Sequence, residues 1–253
     1  MRSTPVFCCL SVGLFPGPAA AQPVEFTPPS IAASIRDTDK NGVGDQVTVA
    51  PEPFSGLIRQ RVQDEDRAVQ EFELFDHFEH LVHSATIRGR ISVSDAFDVG
   101  VRAFEFGIYP GHGESFPTAL QLKFDPDHLM IVGTGQYHPP NDTFLEFEFD
   151  VTAEVQEVID RKAMWVGLWV NSTTEPNFSN ILSNNTGVAV LVIDSEPWDC
   201  RADINRDGVV DADDFFAYLA YFAESHPRAD WFFSGVVDAN DFFAFLQAFA
   251  DGC

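Results

Sequence analysis

Through the middle of the chain, apolar and polar side chains alternate with a period of two, the mark of strands with one buried face. Ile87, Gly89, Ile91 and Val93 alternate with Arg88, Arg90 and Ser92, and Phe104, Phe106 and Ile108 alternate with Glu105, Gly107 and Tyr109. Leu145, Phe147, Phe149 and Val151 share a face opposite Glu146, Glu148 and Asp150. Further strands are expected at Ala68–Phe75, Leu120–Phe124, His128–Val132, Trp165–Val170 and Val188–Ile193. One helix interrupts them: Val155, Val158 and Ile159 form a stripe over Glu154, Gln156 and Glu157, with Thr152 placed to cap the first turn and Arg161 and Lys162 suited to the end. Roughly eight to ten strands and one short helix predict a mainly β fold, an antiparallel β-sandwich of jelly-roll type. Gln22–Pro29 is Pro-rich and reads as a loosely held arm.

After the polar stretch Ser195–Asp199 the pattern changes. Counting Asp203 as position one, Asp203, Asn205, Asp207, Asp211 and Asp214 place side-chain oxygens at one, three, five, nine and twelve, with Gly208 at six and the carbonyl of Val209 at seven. Ca²⁺ takes about six to eight oxygens, and a tight loop supplies them only if its backbone turns sharply, which glycine allows. The pattern returns from Asp230, where Asp230, Ser234, Asp238 and Asp241 offer oxygens and Gly235 holds position six. Position three there is Phe232, so the first loop is expected to bind Ca²⁺ and the second weakly or not at all, shaped instead by packing of Trp231, Phe232 and Phe233. Asp37, Asp39, Asn41, Gly42 and Asp45 begin a similar loop, but position twelve is Thr48; a partial site or an Asx-rich turn into Gln46–Val49 is expected.

Both C-terminal copies continue alike, Phe215-Phe216-Ala217 against Phe242-Phe243-Ala244, and both loops close with Asp rather than Glu. These duplicated loop-helix units resemble a dockerin module. Cys200 before the first loop and the terminal Gly252-Cys253 resemble the variant common in planctomycetes that ends in Gly-Cys and serves as an anchor. The resemblance implies a small all-α domain over 200–253 that binds Ca²⁺ and attaches its passenger to a cohesin-like or other surface scaffold protein. It also implies that Phe215, Leu219 and Phe222 pack against Phe242, Leu246 and Phe249. Loop positions ten and eleven read Ala212-Asp213 and Ala239-Asn240, where cellulosomal dockerins often carry Ser-Thr.

The organisation expected is a signal peptide over 1–21, a β-sandwich over 22–195, a linker over 196–199 and the dockerin-like domain. The apolar run from Pro5 to Phe15, followed by Ala19-Ala20-Ala21, reads as a signal peptide, so the product is expected to be secreted or attached to the cell surface. No stretch has the length of a membrane span. Cys8 and Cys9 leave with that leader, and Cys200 and Cys253 bracket the loops. A disulfide between them would stabilise the tail by roughly 4 kcal/mol through chain entropy. The competing reading makes the terminal Gly-Cys a processing or attachment site.

In 253 residues the formal net charge is −24, which argues against nucleic acid or an anionic membrane as partner. Twenty-five Phe promise a real core. His77, His80 and His83 recur every third residue and on a helix could hold Zn²⁺, but between two strands a solvated His-rich loop is the expectation. Acidic residues are too plentiful to single out a glycosidase pair, and Glu71 with Glu73 reads as a solvated sheet face. Trp165, Trp169, Tyr109 and Tyr137 could stack on sugars, although apolar neighbours on both sides of Trp165 and Trp169 favour a core position. The function expected is a non-catalytic exported protein that presents its β-sandwich on a calcium-stabilised anchor. The alternatives are a polysaccharide-degrading enzyme and a carbohydrate-binding module with extracellular polysaccharide as ligand.

Overall fold

The computed structural model describes residues 23–26, 31–41, 44, 46–49, 54–60, 64–74, 77, 79–93, 101–112, 126–138, 144–173, 178–183 and 189–252. The predicted signal peptide, the strand expected at 120–124, Gly42, Asp45 and Cys253 lie outside them. The bridge expected between Cys200 and Cys253 falls partly outside the described residues.

Among the described residues twelve strands run in the order β1 (Val24–Phe26), β2 (Ile31–Asp37), β3 (Gln46–Val49), β4 (Phe54–Gln60), β5 (Glu65–Glu73), β6 (His80–Val93), β7 (Arg102–Pro110), β8 (Met130–Tyr137), β9 (Phe144–Asp150), β10 (Trp165–Ser172), β11 (Phe178–Ser183) and β12 (Val190–Pro197). Helix α1 (Thr152–Asp160) separates β9 from β10, and α2 (Ala212–Ala223) and α3 (Ala239–Asp251) follow β12. The strands are linked as β1-β12-β6-β11-β4-β5-β10-β7-β8, with β2 on β5, β3 on β2 and β9 on β6. Every described pairing is antiparallel.

Alternation decides which side chains go inward. Phe104, Phe106 and Ile108 of β7 and Val166, Leu168 and Val170 of β10 share one core with Ile87 and Ile91 of β6, Leu145 and Phe147 of β9, and Leu191 and Ile193 of β12. Two groups of strands thus face each other across one apolar interior, and Val155, Val158 and Ile159 bring α1 into it. Arg88, Arg90, Glu146, Glu148 and Asp150 stay outside, as their parity predicts.

A second, smaller core departs from the one-face expectation. On the far side of β5, β7 and β10, Val69, Tyr109 and Trp169 pack with Ala33 and Ile35 of β2. The Tyr109 ring lies directly over Gly167, its register partner, so close that a Cβ on Gly167 would sit 2.1 Å from the ring. These strands are buried on both faces, and β7 is not the half-exposed strand its pattern suggests.

The N-terminal segment also differs from expectation. Val24–Phe26 is not a loose arm but pairs with Leu191–Ile193 of β12. Thr152 does not cap α1 by its own side chain; it is the first helical residue, its N–H donates to Asp150 Oδ1 at 3.0 Å, and its Oγ1 accepts from the Ala85 amide. Glu196 and Pro197, assigned to a linker, continue β12 opposite Leu81 and His80.

Candidate metal centre

Each C-terminal loop is tied together by its first and last carboxylates. In loop one Asp203 accepts the amides of Asp207 at 3.1 Å and Gly208 at 2.8 Å, positions five and six. Asp214 accepts those of Asn205 at 3.0 Å and Asp211 at 2.9 Å, positions three and nine. In loop two Asp230 accepts from Ser234 at 3.0 Å and Gly235 at 2.7 Å, and Asp241 accepts from Phe232 at 3.1 Å and Asp238 at 2.8 Å, the same positions. The backbones match as well. Arg206 and Phe233 at position four adopt φ of 60° and 55°, and Gly208 and Gly235 at position six adopt 88° and 80°. Glycine tolerates that last region without the Cβ clash other residues suffer. The degraded sequence of loop two has therefore kept the full scaffold of loop one.

Both loops run straight into helices. Asp211 with Asp214, and Asp238 with Asp241, form capping boxes that satisfy the first amides of α2 and α3. The helices are held by a pair of equivalent residues the stripe argument did not name: Tyr218 and Phe245 stack face to face, centroids 3.8 Å apart and 3° from parallel, and both are fully buried. Phe215, Phe222, Phe242, Leu246 and Phe249 pack around them. Trp231 joins this core, but Phe232 is 61% exposed and contributes no packing that could shape loop two.

Asp203, Asp214, Asp230 and Asp241 are at most 4% exposed, a costly place for carboxylates that backbone amides make tolerable. Burial pushes the Asp230 carboxyl up, yet the amides of Ser234 and Gly235 and the nearby Lys162 charge outweigh it and hold the group below its usual range. These four groups accept two or three such bonds each, and a carboxylate has about four acceptor positions, so some lone-pair capacity is left over. The remaining predicted donors, Asn205, Asp207, Asp211, Ser234 and Asp238, are exposed around them, and Val209 exposes its side chain while its carbonyl stands at position seven. The set is all oxygen, the chemistry of Ca²⁺ rather than zinc. Among the described residues no group of three or more His, Cys, Asp or Glu is gathered to hold a metal.

Other sequence candidates are dispersed. His80 and His83 lie in β6 rather than on a helix or in a solvated loop; His77 and His80 both direct Nδ1 to Ser195 Oγ, at 2.8 and 3.0 Å, and His77 is buried. Exposed His83 turns instead to Glu196. Asp37 accepts the amides of Asp39 and Asn41, an Asx-rich turn whose later positions are only partly described. Glu71 is not on a solvated face: it is fully buried, accepting from the Tyr109 hydroxyl at 2.9 Å and the His112 amide at 3.0 Å. Trp169 is buried, as the core reading holds, while Trp165 is only half-buried; Tyr109 and Tyr137, offered as sugar-stacking groups, are buried as well.

The loop pair is docked on the β unit at the end of α1. Asp160, the last residue of α1 and 9% exposed, takes Arg206 of loop one and, at 2.9 Å, Arg228. Lys162 donates to the carbonyl of Asp230 and lies 3.9 Å from the centre of the Phe233 ring. Arg201 pairs with Glu79 at 3.2 Å and covers the Trp231 ring. None of these pairings could be read from spacing. The position-four residues of both loops, Arg206 and Phe233, thus face the β unit.

No protein-family model matches the chain, and no curated protein matches it. Among solved structures it is similar to a mutant Xylanase10C from Cellvibrio japonicus in complex with xylopentaose, at 12% identity and a TM-score of 0.33, covering 67% of this chain and 28% of that one. It is also similar to the xylan-binding module CBM15, at 13% identity and a TM-score of 0.32, covering 68% of this chain and 96% of that one. Likeness at that level carries no argument about ligand or activity. Among the described residues no helix is long and apolar enough to cross a membrane.

Proposed function

We propose that this chain is an exported, non-catalytic presentation protein: a jelly-roll-like β domain carried by a calcium-stabilised, dockerin-like module that anchors it to an extracellular or cell-surface scaffold. The observation that supports this reading is the identity of the two loop scaffolds, with carboxylates at positions one and twelve accepting amides from equivalent positions and glycine at positive φ at position six. In loop one Asp203, Asn205, Asp207, Asp211, Asp214 and the Val209 carbonyl would hold Ca²⁺. In loop two the set is Asp230, Ser234, Asp238 and Asp241. When bound, the ion supplies positive charge that relieves repulsion among carboxylates and draws the loop termini together. The partner is a cohesin-like or other scaffold protein, and a Cys200–Cys253 bridge clasps the module where its own core is small.

Thermal melting and calorimetry of the full chain test the reading. Millimolar Ca²⁺ is expected to raise the melting temperature above that in EGTA, with at least one site titrating, and Asp203→Ala to abolish that gain. Equal melting in calcium and chelator would refute it. A pull-down in Ca²⁺ and in EGTA then identifies the scaffold. In the alternative reading, a polysaccharide ligand would have to use groups other than Trp169, Tyr109 and Tyr137, which are inside the fold.

A further inference from the structure

The two C-terminal loops are near-copies in their surroundings as well as in their backbones. Arg201 and Arg228 stand two residues ahead of Asp203 and Asp230, and each reaches across to the other loop. Arg201 donates to the carbonyl of Trp231 at 3.1 Å and Arg228 to that of Ile204 at 2.6 Å, position two in both cases. Lys162 breaks the symmetry. It donates to the carbonyl of Asp230, position one of loop two, and lies over the Phe233 ring at position four. Among the described residues no side-chain cation is bonded to the carbonyl of Asp203, the matching atom of loop one.

This lysine comes from the β unit, at the turn that ends α1. Its φ is 58°, and its amide donates to the Ile159 carbonyl at 2.8 Å. Glycine is the usual helix terminator in that left-handed region, so a lysine there carries backbone strain that points to a role for its side chain. Its charge is felt inside the loop. Burial pushes the Asp230 carboxyl up, but the loop amides and then Lys162 pull it below its usual range. In return, Asp230, Glu79 and Asp241 oppose the burial that lowers the Lys162 ammonium. Loop two also has less to offer a metal. Phe232 leaves no donor at position three, and the Ser234 hydroxyl at position five is bonded to the Val236 carbonyl at position seven, 3.0 Å away. A divalent ion arriving there meets a fixed positive charge and few oxygens.

We propose that Lys162 is the resident cation of loop two. Its ammonium balances Asp230 and Asp241, so this loop keeps its fold without metal and loop one is left as the calcium site. The inference refines the calcium-anchor reading, and its statement about loop one rests on that reading. Because the lysine belongs to the β unit, loop two is closed to Ca²⁺ only while the two parts are docked.

Calorimetric titration of the metal-stripped full-length chain with Ca²⁺, together with hydrogen exchange of residues 230–238 in EGTA, tests the assignment. Wild type is expected to take up one ion. Lys162→Gln and Lys162→Gly are expected to gain a second site, about tenfold or more tighter than any residual binding by loop two in wild type, and to lose it again when combined with Asp238→Asn. Lys162→Arg keeps the charge and gains no site. Glycine suits the left-handed turn, so Lys162→Gly decides the matter even if Lys162→Gln folds poorly. In EGTA the amides of Ser234 and Gly235 should exchange about tenfold or more faster in the two neutral variants than in wild type. Two sites of like affinity in wild type, no site gained in the neutral variants, or exchange at the wild-type rate each overturn the proposal. The exchange measurement needs no calcium, so a failure of the anchor reading, seen as equal melting in Ca²⁺ and EGTA, stays distinct from a failure of this one.

Discussion

Replacing Asp160 by asparagine removes the one charge that two guanidinium groups share. The side chains of Arg206 and Arg228 are 13% and 15% exposed and that of Asp160 is 9% exposed, so the network is shielded from water. Breaking a buried ion pair from one side costs about 3–5 kcal/mol, because the partner's charge stays behind. Two effects reduce that figure. An acid at a helix C-terminus opposes the helix dipole, and its removal returns about 0.3–1 kcal/mol. Asparagine also keeps one acceptor oxygen. The net expectation is a loss of about 2–4 kcal/mol, which for a chain of this size lowers the melting temperature by on the order of 10 °C. Calorimetry on wild type, Asp160→Asn, Arg228→Met and the double variant measures it, with Arg88→Gln at an exposed pair as a control expected to lose under about 1 kcal/mol. If Asp160→Asn melts within about 2 °C of wild type, or Arg228→Met costs as much without Asp160 as with it, the docking network is not the stabilising element described.

Three further expectations follow from separate features. Asp241→Ala should lose about 2–4 kcal/mol even in EGTA, since the amides of Trp231, Phe232 and Asp238 lose their acceptor whether or not metal is bound; no loss in EGTA would deny the carboxylate a scaffold role. Gly167→Ala should destabilise by about 3 kcal/mol or express poorly, because its Cβ would overlap the Tyr109 ring, and a wild-type melting curve would contradict that close packing. Burial holds His226 below its ordinary range despite Glu157, so the unfolded chain takes up that proton first as the pH falls. Its contribution is complete above the unfolded value of about 6.5 and declines as pH drops through it toward the folded value; His226→Gln should flatten melting temperature against pH between about 7 and 5.5, and an unchanged slope would reassign it.

The strands with one wet face were legible from alternation, and β9 is the clearest case: every residue from Leu145 to Asp150 takes the side its parity predicts. The loops were legible because metal-loop spacing is local and Gly208 and Gly235 mark the turn. Three things were not. Glu71 looks like a surface residue in a one-dimensional pattern, and only the second core, assembled from β2, β7 and β10, puts it inside. The scaffold of loop two runs through backbone amides, so Phe232 at position three leaves it intact although the count of oxygen side chains falls. The interface at Asp160 pairs residues far apart in sequence, and no periodicity announces it.

The left-handed turn at the fourth position of each loop points a guanidinium and a phenyl ring at the same neighbour. Any receptor that grips the loops from that side must first pry them from their seat, so capture by such a partner and the folded handshake within the chain exclude each other. The strength of that internal grip then sets a threshold that an outside competitor has to exceed.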